Sequence, residues 1–428
     1  MVTPQLKLKL KFRVTSETLK QLVFILYFCN PFIRLFFSAL LSKFGMSEYA
    51  YLATIVLIYS LVLFLIVLDR RNFIKDFAVL FLFIIAFFAI TLLIHPNYEY
   101  WYKRSTYGVW DYVLRPDNGL YAYFFIRLLN NPENIMKTLK KCAWIMYPYY
   151  MYLLLNASRV GYWIDHNSSG QLIHYKYSLT FGYDVLLYVL VFLYAAFEKK
   201  KVIDIILSIA GIFMILKGGS RGPLLCIAIF VIILIAKSFQ ESRSSKKMGM
   251  LLATIGLAVI LFVSYDKILS ALINLLNQFN VSSRTLTMLL EGSIADNNGR
   301  YEIWNAAIEM IKKNPFGYGA MGTRHVIYYY HYVGHCHQIF LEMLVDYGVF
   351  LGTALIILML AKAFQILFSK GTEKWFGVFM IFFCRSCHLL MSGTYWHLLS
   401  FWACIGIGVS IYYEKKTCKR RRKINGRF

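Results

Sequence analysis

The chain has 428 residues, of which 59% are hydrophobic and only 16% are charged. A soluble protein of this length carries more charge and fewer long apolar segments, so the composition excludes the soluble globular class. The net charge of +24 does not indicate nucleic-acid binding, because basic loops are usual in membrane proteins and no aromatic-basic module interrupts the apolar segments. The sequence therefore predicts an all-α polytopic membrane protein, and nucleic acid is not an expected partner.

The apolar segments predict about twelve transmembrane helices, since a spanning helix needs about 20 apolar residues. The first helix should be kinked at Asn30-Pro31, because proline removes a backbone hydrogen bond of the helix. The approximate limits of the predicted helices are 21–42, 49–68, 77–94, 119–130, 142–156, 178–197, 203–216, 222–236, 249–264, 338–366, 375–393 and 397–413.

The distribution of basic residues predicts the orientation of these helices. Placing the basic tail of residues 1–20 in the cytoplasm gives the inner segments about twice as many Lys and Arg residues as the outer ones. Transmembrane helices 1–9 then fall within residues 21–264, and helices 10–12 fall within 338–413. The long polar segment 265–337 is predicted to be an external catalytic loop, and residues 414–428 form a second cytoplasmic basic tail.

Two smaller outer loops are predicted near residues 95–118 and 156–177. The first loop is rich in Tyr and Trp, and the second carries Asp165, His166 and His174. Aromatic residues at these positions are typical of the membrane interface, and they could also stack on the apolar faces of sugars. Both interpretations stay open.

The eight cysteines give no evidence of a disulfide framework. Cys384 and Cys387 have CxxC spacing, but the pair lies in an apolar segment and lacks a second pair to complete a zinc site. We therefore interpret most of the cysteines as small buried hydrophobic residues.

Arg221 lies in a short outer turn, Lys217-Gly-Gly-Ser-Arg-Gly222, between two apolar helices. A guanidinium group fits phosphate oxygens through paired hydrogen bonds, so this arginine could hold a phosphate. The alternative is a topology signal or a contact with lipid headgroups.

Arg300 opens a predicted surface helix that follows Asn297-Asn298-Gly299, with an Asn as the expected cap. An arginine in a first helical turn is not stabilised by the helix dipole, which suggests another role. The alternative is a salt bridge to Glu302 or Asp296. Arg284 and Arg324 are further candidate cations in the same loop. The predicted apolar face of this helix consists of Tyr301, Trp304, Ala307, Ile308 and Ile311.

His331, His335 and His337 precede the tenth predicted helix. His331 and His335 have the i, i+4 spacing of a helical metal site, but Gly334 lies between them and no acidic ligand has a familiar spacing. A single histidine acting as a general base is the favoured interpretation, because imidazole titrates near neutral pH. Cys336 could be a nucleophile, although nothing in the sequence activates it.

Glu342 and Asp346 form an acidic stripe on the first turns of the tenth helix, near the expected membrane surface. They could pair with an arginine or orient the catalytic histidine.

Together, these motifs resemble the O-antigen polymerase and ligase superfamily of bacterial envelope glycosyltransferases. About a third of the chain carries the resemblance closely. It departs from the family at Gln338, where the family often has Asn after the histidine. The matching motifs are Ser220-Arg221-Gly222, Gly299-Arg300-x-x-x-Trp304, Pro315-Phe-Gly-Tyr-Gly319, and His337 with Leu341, Leu344, Gly348 and Gly352.

The resemblance implies metal-independent, inverting glycan transfer from an undecaprenyl-diphosphate donor, with no cofactor. Arg221 and Arg300 would hold the diphosphate, and His337 would deprotonate the acceptor hydroxyl. A polymerase for capsule, exopolysaccharide or O-antigen is favoured over a ligase; a lipid-glycan flippase is the alternative from another class. The implied partners are the bacterial cytoplasmic membrane, a lipid-linked oligosaccharide, and a chain-length regulator and flippase of the same pathway.

Overall fold

The computed structural model describes residues 15–68, 73–166, 172–175, 177–242, 267, 269–271, 273–274, 284–291, 299–328 and 334–425. The chain divides into two compact units, Met1–Asn72 and Phe73–Phe428. Within the described ranges the structure is helical except for one antiparallel hairpin, in which β1 (Trp163–His166) pairs with β2 (Leu172–Tyr175). The all-α membrane class predicted from the sequence agrees with this architecture.

The first unit contains the helices α1 (Ser16–Phe28), α2 (Asn30–Ser42) and α3 (Ala50–Leu68). The α1 and α2 helices meet at an angle of 79°, with Pro31 in the first turn of α2. The kink that Asn30-Pro31 predicts is therefore confirmed.

The second unit holds the remaining helices and all of the candidate site residues. Its helices are α4 (Phe73–Ile94), α5 (Glu99–Lys103), α6 (Tyr121–Leu129), α7 (Pro132–Val160), α8 (Leu179–Lys199), α9 (Val202–Gly218), α10 (Gly222–Glu241), α11 (Arg284–Leu290), α12 (Arg300–Lys313), α13 (Gly322–Ile327), α14 (Ile339–Phe368), α15 (Glu373–Ser386) and α16 (Leu399–Asn425).

Among the described residues, 5 helices are long and apolar enough to cross a membrane, or 6 if the bent α1–α2 pair counts as one span. Apart from that pair, the candidate spans are Ser47–Leu68, Lys75–Ile94, Thr180–Lys199, Gly222–Glu241 and Ile339–Phe368. The chain is thus a multi-pass membrane protein, but the expected count of about twelve spans is not confirmed.

Helix length explains part of this difference. The 9 residues of α6 rise only about 14 Å, which is about half the thickness of the hydrocarbon layer. The α15 helix has 14 residues and is also shorter than a full span. The predicted helix 249–264 and parts of the predicted external loop, chiefly residues 275–283, 292–298 and 329–333, lie outside the described residues.

The α14 helix is interrupted at Gly348, whose φ of 78° and ψ of 171° are not helical. The break leaves the carbonyls of Val345 and Asp346 without their helical partners, and the amides of Tyr318 and Gly319 donate to them at 2.8 and 2.9 Å. The Pro315-Phe-Gly-Tyr-Gly319 motif therefore supplies the backbone hydrogen bonds that the broken helix lacks.

Gly317 and Gly348 permit this close backbone approach. A Cβ at Gly348 would lie 2.4 Å from the Phe316 carbonyl carbon, and one at Gly317 would lie 2.4 Å from the Gly348 amide nitrogen. Such distances are shorter than any normal van der Waals contact. Glycine is therefore required both at position 317 in the Pro315-Phe-Gly-Tyr-Gly319 motif and at position 348 in the break of α14.

Replacing Gly348 by alanine should lower the free energy of unfolding by about 3 kcal/mol or more, because it combines backbone strain with a steric clash. Thermal unfolding of the purified protein in detergent measures the effect. Gly371→Ala is the matched control, since Gly371 has a φ of 87° but open space around its Cβ position. That variant should lose only about 1 kcal/mol. Equal losses in the two variants would contradict the steric argument.

Candidate functional site

Arg221, Arg300 and His337 each lie at the N-terminus of a helix. Arg221 is the N-cap of α10, Arg300 is the first residue of α12, and His337 precedes Gln338, the N-cap of α14. The Gln338 side-chain oxygen accepts a hydrogen bond from the Leu341 amide at 2.6 Å and fixes the start of α14. Helix N-termini favour anions, and so do guanidinium groups. The backbone and the side chain of Arg221 and of Arg300 therefore both favour binding of an anion.

Tyr183 and His388 form the centre around which these residues gather. Their rings stack with centroids 3.6 Å apart and an interplanar angle of 26°. Arg385 places its Cζ 5.6 Å from the centroid of the Tyr183 ring and donates from Nη1 to His388 Nδ1 at 3.3 Å. The short 3-10 segment Cys387–Leu390 after α15 therefore brings a third arginine and a further histidine to the site.

The charged side chains of the site affect one another's pKa. Burial lowers the pKa of Arg300, and the like charge of Arg221 adds to this shift. Burial also lowers the pKa of His388 well below its usual range, and Arg385, His337 and Arg300 act in the same direction. Such mutual effects are strong only at short range, so these cationic groups share one site. An anion in their midst would relieve their repulsion.

Gly222 allows Tyr183 to approach the start of α10. A Cβ at Gly222 would lie 1.6 Å from the Tyr183 hydroxyl oxygen. The Ser220 side chain also acts on the Tyr183 hydroxyl. Both flanking residues of Arg221 therefore contact the tyrosine that stacks on His388, which gives the Ser-Arg-Gly motif a structural explanation.

Replacing Gly222 by alanine should displace the Tyr183 ring and lower the activity by about ten- to hundredfold, because small misplacements in a reactive site are costly. Glycan transfer, the activity that the resemblance implies, is measured in membranes prepared from a complemented null strain. Adding Tyr183→Phe to the Gly222→Ala variant removes the clashing oxygen and should restore part of the loss. Gly408→Ala, where the structure leaves open space, is the control and should retain activity. An unchanged Gly222→Ala variant would contradict this assignment.

His337 has a backbone conformation that is uncommon for a residue with a side chain. Its φ is 53°, in the left-handed region, and non-glycine residues held there often mark functional sites. Its Nδ1 lies 3.3 Å from Ser392 Oγ, and its ring centroid lies 4.1 Å from that of His335. The histidine is therefore positioned from two sides at the start of α14.

The α12 helix differs from its prediction in two respects. Its N-cap is Gly299 with a φ of 77°, not an asparagine. Its buried face is rotated relative to the predicted one, because Tyr301 and Ile308 are exposed. Ala307 is buried as predicted, and Trp304 and Ile311 are partly buried against the same cluster. Packing against the segment before α14 selects this face. The buried cluster consists of Ile303, Ala306, Ala307, Met310, Ile327, Cys336 and Val345.

Trp304 links α12 to the histidine segment. Its indole Nε1 donates to the Cys336 carbonyl oxygen at 3.1 Å. This hydrogen bond fixes α12, which carries Arg300, against the segment that carries His337. Cys336 is buried in the same cluster, and burial raises the pKa of its thiol well above the usual range. A thiol with a raised pKa is a poor nucleophile, so Cys336 has a packing role.

The sequence predicted that Glu342 and Asp346 lie near the surface, but both side chains are buried, with exposed fractions of 3% and 4%. Thr394 donates to Glu342 at 2.6 Å, and Thr323 donates to Asp346 at 2.7 Å. No ion pair joins either carboxylate to an arginine or histidine within the described ranges. Both carboxylates face the loop before α16, because that loop provides hydroxyl groups that donate to them. One of these is the Tyr395 hydroxyl, which donates to Asp346 Oδ2 at 2.8 Å.

Arg324 and His335 are both buried beside the site. The Arg324 guanidinium lies over the rings of Trp101, Tyr107 and Tyr328, and the His335 ring is 6.4 Å from that of Tyr107. Neither residue belongs to the group around His388. Arg284 begins α11, but its side chain, like the whole of His331, lies outside what the structure describes.

The alternative interpretation of Arg300, a salt bridge to Glu302, is not seen among the described residues, and its other possible partner, Asp296, lies outside them. In the same residues, no group of three or more His, Cys, Asp or Glu side chains could hold a metal ion. Cys384 and Cys387, the CxxC pair, are buried free thiols.

Tyr183, Arg385, His388 and Ser392 were not predicted as site residues. An arginine in an apolar segment, as at Arg385, is itself a signal of function, because such a charge is costly without a partner. The stacking of Tyr183 on His388 joins residues far apart in the chain and has no sequence signature.

Residues 206–357 match the family whose description is O-antigen ligase. The matched region contains Arg221, Arg300 and His337 and ends within α14. This result agrees with the resemblance to the O-antigen polymerase and ligase superfamily. Comparisons with curated proteins and with solved structures give no match.

Proposed function

We propose that this chain, whose residues 206–357 match the O-antigen ligase family, is a polysaccharide polymerase of the membrane. It joins oligosaccharide repeat units carried on undecaprenyl diphosphate at the outer face of the bacterial cytoplasmic membrane. The product is a capsule, exopolysaccharide or O-antigen chain. The observation that carries the proposal is the convergence of Arg221, Arg300 and His337 around the stacked Tyr183 and His388 rings.

In this proposal the arginines bind the diphosphate of the donor. Charge accumulates on the leaving diphosphate as the sugar–oxygen bond breaks, and preorganised guanidinium groups and helix N-termini stabilise it there. Burial strengthens these interactions because less water competes for the phosphate oxygens. Arg385, anchored to His388, adds a third positive group.

His337 acts as the general base. The acceptor hydroxyl oxygen forms a bond to the anomeric carbon of the donor sugar, and the bond from that carbon to the diphosphate oxygen breaks. The hydroxyl proton passes to the imidazole, and undecaprenyl diphosphate leaves with the bonding electrons. We assign the proton transfer to Nε2 because Nδ1 faces Ser392. Attack opposite the leaving group inverts the anomeric configuration.

Three features support glycan transfer at an external site, and the second of them favours a polymerase. The basic residues favour cytoplasmic termini and an external site, where nucleotide sugars are not available as donors. The aromatic segment from Tyr98 to Tyr112 packs beside Arg324, and such rings can bind a long glycan. Glutamine in place of the family's asparagine after the histidine retains an amide, which caps α14.

The experiment is a strain that lacks this protein, complemented with wild type or His337→Ala at matched expression, followed by sizing of the surface glycan. Loss of the long-chain ladder with accumulation of single repeat units supports the polymerase. Long glycan that remains on its lipid carrier would instead indicate a ligase. A normal ladder would contradict the assignment of His337 and favour a lipid-glycan transporter.

A further inference from the structure

A second cationic cluster lies beside the site, and its arginines have no role in the transfer step described above. We call it the aromatic arginine cage and define it by Arg104, Arg324, Trp101, Tyr107 and Tyr328. The Arg324 Cζ lies 4.7 Å from the Tyr107 ring centroid, and the Arg104 Cζ lies 5.3 Å from that of Tyr328. Each guanidinium also lies 5.6 Å from the Trp101 ring centroid, so the two arginines share the same aromatic surface.

The two arginines of the cage repel each other. Burial lowers the pKa of Arg324, and the charge of Arg104 acts in the same direction. Arg104 has a buried Nη1 with no hydrogen-bond partner in the part of the chain that the structure describes. Buried polar groups are almost always satisfied, so a donor in this state indicates a ligand that accepts.

The acidic residues nearest in sequence to Arg104 are engaged elsewhere. Glu99 pairs with Lys103 at 2.5 Å. Asp111 and Asp117 both pair with Arg115, at 2.6 and 2.7 Å. The protein thus brings two guanidinium groups together without using these neighbouring carboxylates to neutralise Arg104, which is an arrangement suited to an external anion.

The position of the cage relative to His337 indicates which substrate it contacts. Tyr107 of the cage lies 6.4 Å from the His335 ring centroid, and His335 lies 4.1 Å from that of His337. His337 also acts on His388, as do Arg300 and Arg385 of the proposed donor site. His337, the proposed general base, therefore has two sets of neighbours. His388 connects it to the arginines that bind the donor diphosphate, and His335 connects it to the cage. Since the base must touch the acceptor hydroxyl, the cage lies with the acceptor.

We propose that the aromatic arginine cage is an acceptor subsite that binds an anionic group attached to the acceptor glycan. Guanidinium groups pair with a carboxylate or phosphate, while Trp101, Tyr107 and Tyr328 provide ring faces for adjacent sugars. The anion is either the acidic substituent of a sugar, such as a uronic acid carboxylate, or the diphosphate of the acceptor's own lipid carrier. This inference rests on the proposed function and adds the chemical class of the acceptor.

The test measures binding to the full-length protein in lipid nanodiscs. One probe is a glucuronic acid-containing tetrasaccharide compared with the same tetrasaccharide after its carboxyls are reduced to alcohols. The other probe is undecaprenyl diphosphate, whose stoichiometry is counted by native mass spectrometry. The variant is Arg104→Gln. The matched control is Lys103→Gln, which removes an adjacent exposed charge from the same segment.

If the anion is a sugar acid, wild type binds the acidic tetrasaccharide about tenfold more tightly than the reduced form, and Arg104→Gln loses that preference. If the anion is the acceptor's diphosphate, wild type holds two undecaprenyl diphosphates and Arg104→Gln holds one. Lys103→Gln should behave as wild type in both cases. Either result supports the proposal and identifies the source of the anion.

No preference for the acid form, together with equal lipid stoichiometry in wild type and Arg104→Gln, would overturn the proposal. Arg104→Lys, which keeps the charge but not the planar fork, gives a second variant should Arg104→Gln fail to fold. Donor binding that weakens in Arg300→Gln would leave the proposed function intact even if the cage proposal fails.

Discussion

Replacing His337 by asparagine should lower the rate of glycan transfer by about 10²–10⁴-fold while donor binding stays within about twofold of wild type. A general base acts on the acceptor proton in the transition state and contributes little to ground-state binding of the donor. Single-turnover extension of a labelled lipid-linked repeat unit by the purified protein measures the rate, and a separate titration measures binding.

Asparagine is the informative substitution because His337 has a φ of 53°. Asparagine tolerates the left-handed region better than most residues, so the backbone at the start of α14 is retained while the base is lost. His335→Ala is the matched control, since that histidine lies 4.1 Å away in the same segment. It should keep the rate within about tenfold of wild type. The opposite pattern, with His335 essential and His337 dispensable, would transfer the base assignment to His335.

Replacing Arg300 by glutamine should reduce kcat/KM by about 10²–10³-fold, because the site loses a half-buried cation at the leaving diphosphate. Affinity for undecaprenyl diphosphate should fall as well. Arg300→Lys should recover only part of the loss, since an ammonium group cannot form the paired hydrogen bonds of a guanidinium. The same extension assay and lipid titration report both effects.

Lys312→Gln is the control for this substitution. Lys312 lies on the same helix, is exposed and pairs with Glu309 at 2.8 Å. Its loss should leave both the rate and the lipid affinity unchanged. If Arg300→Gln and Lys312→Gln had equal effects, general electrostatic attraction of the lipid would explain the data and a specific diphosphate site would not.

The three principal candidate residues stand out in the sequence because each has a local signature. Arg221 lies in a glycine-rich turn between apolar helices, Arg300 opens a helix where the dipole does not favour it, and His337 directly precedes an apolar helix. The structure places all three at helix N-termini and brings them together. The resemblance to a known superfamily added their roles, which composition alone does not supply.

The remainder of the site depends on tertiary contacts. The stacking of Tyr183 on His388 joins α8 to the segment after α15, and neither residue stands out in its own helix. The rotated face of α12 shows the same effect, since the two apolar stripes differ by about one position and packing selects between them. The break at Gly348 could not be seen either, because the apolar pattern of α14 continues across it.

The most direct test of the central claim uses purified protein in nanodiscs and undecaprenyl-diphosphate-linked repeat units labelled in the lipid and in the sugar. We predict lipid-linked products of two or more repeats with an inverted new linkage. One undecaprenyl diphosphate should be released for each bond formed, and His337→Asn should abolish both signals. Extension without release of undecaprenyl diphosphate, or movement of the lipid across the bilayer without any new glycosidic bond, would contradict the account.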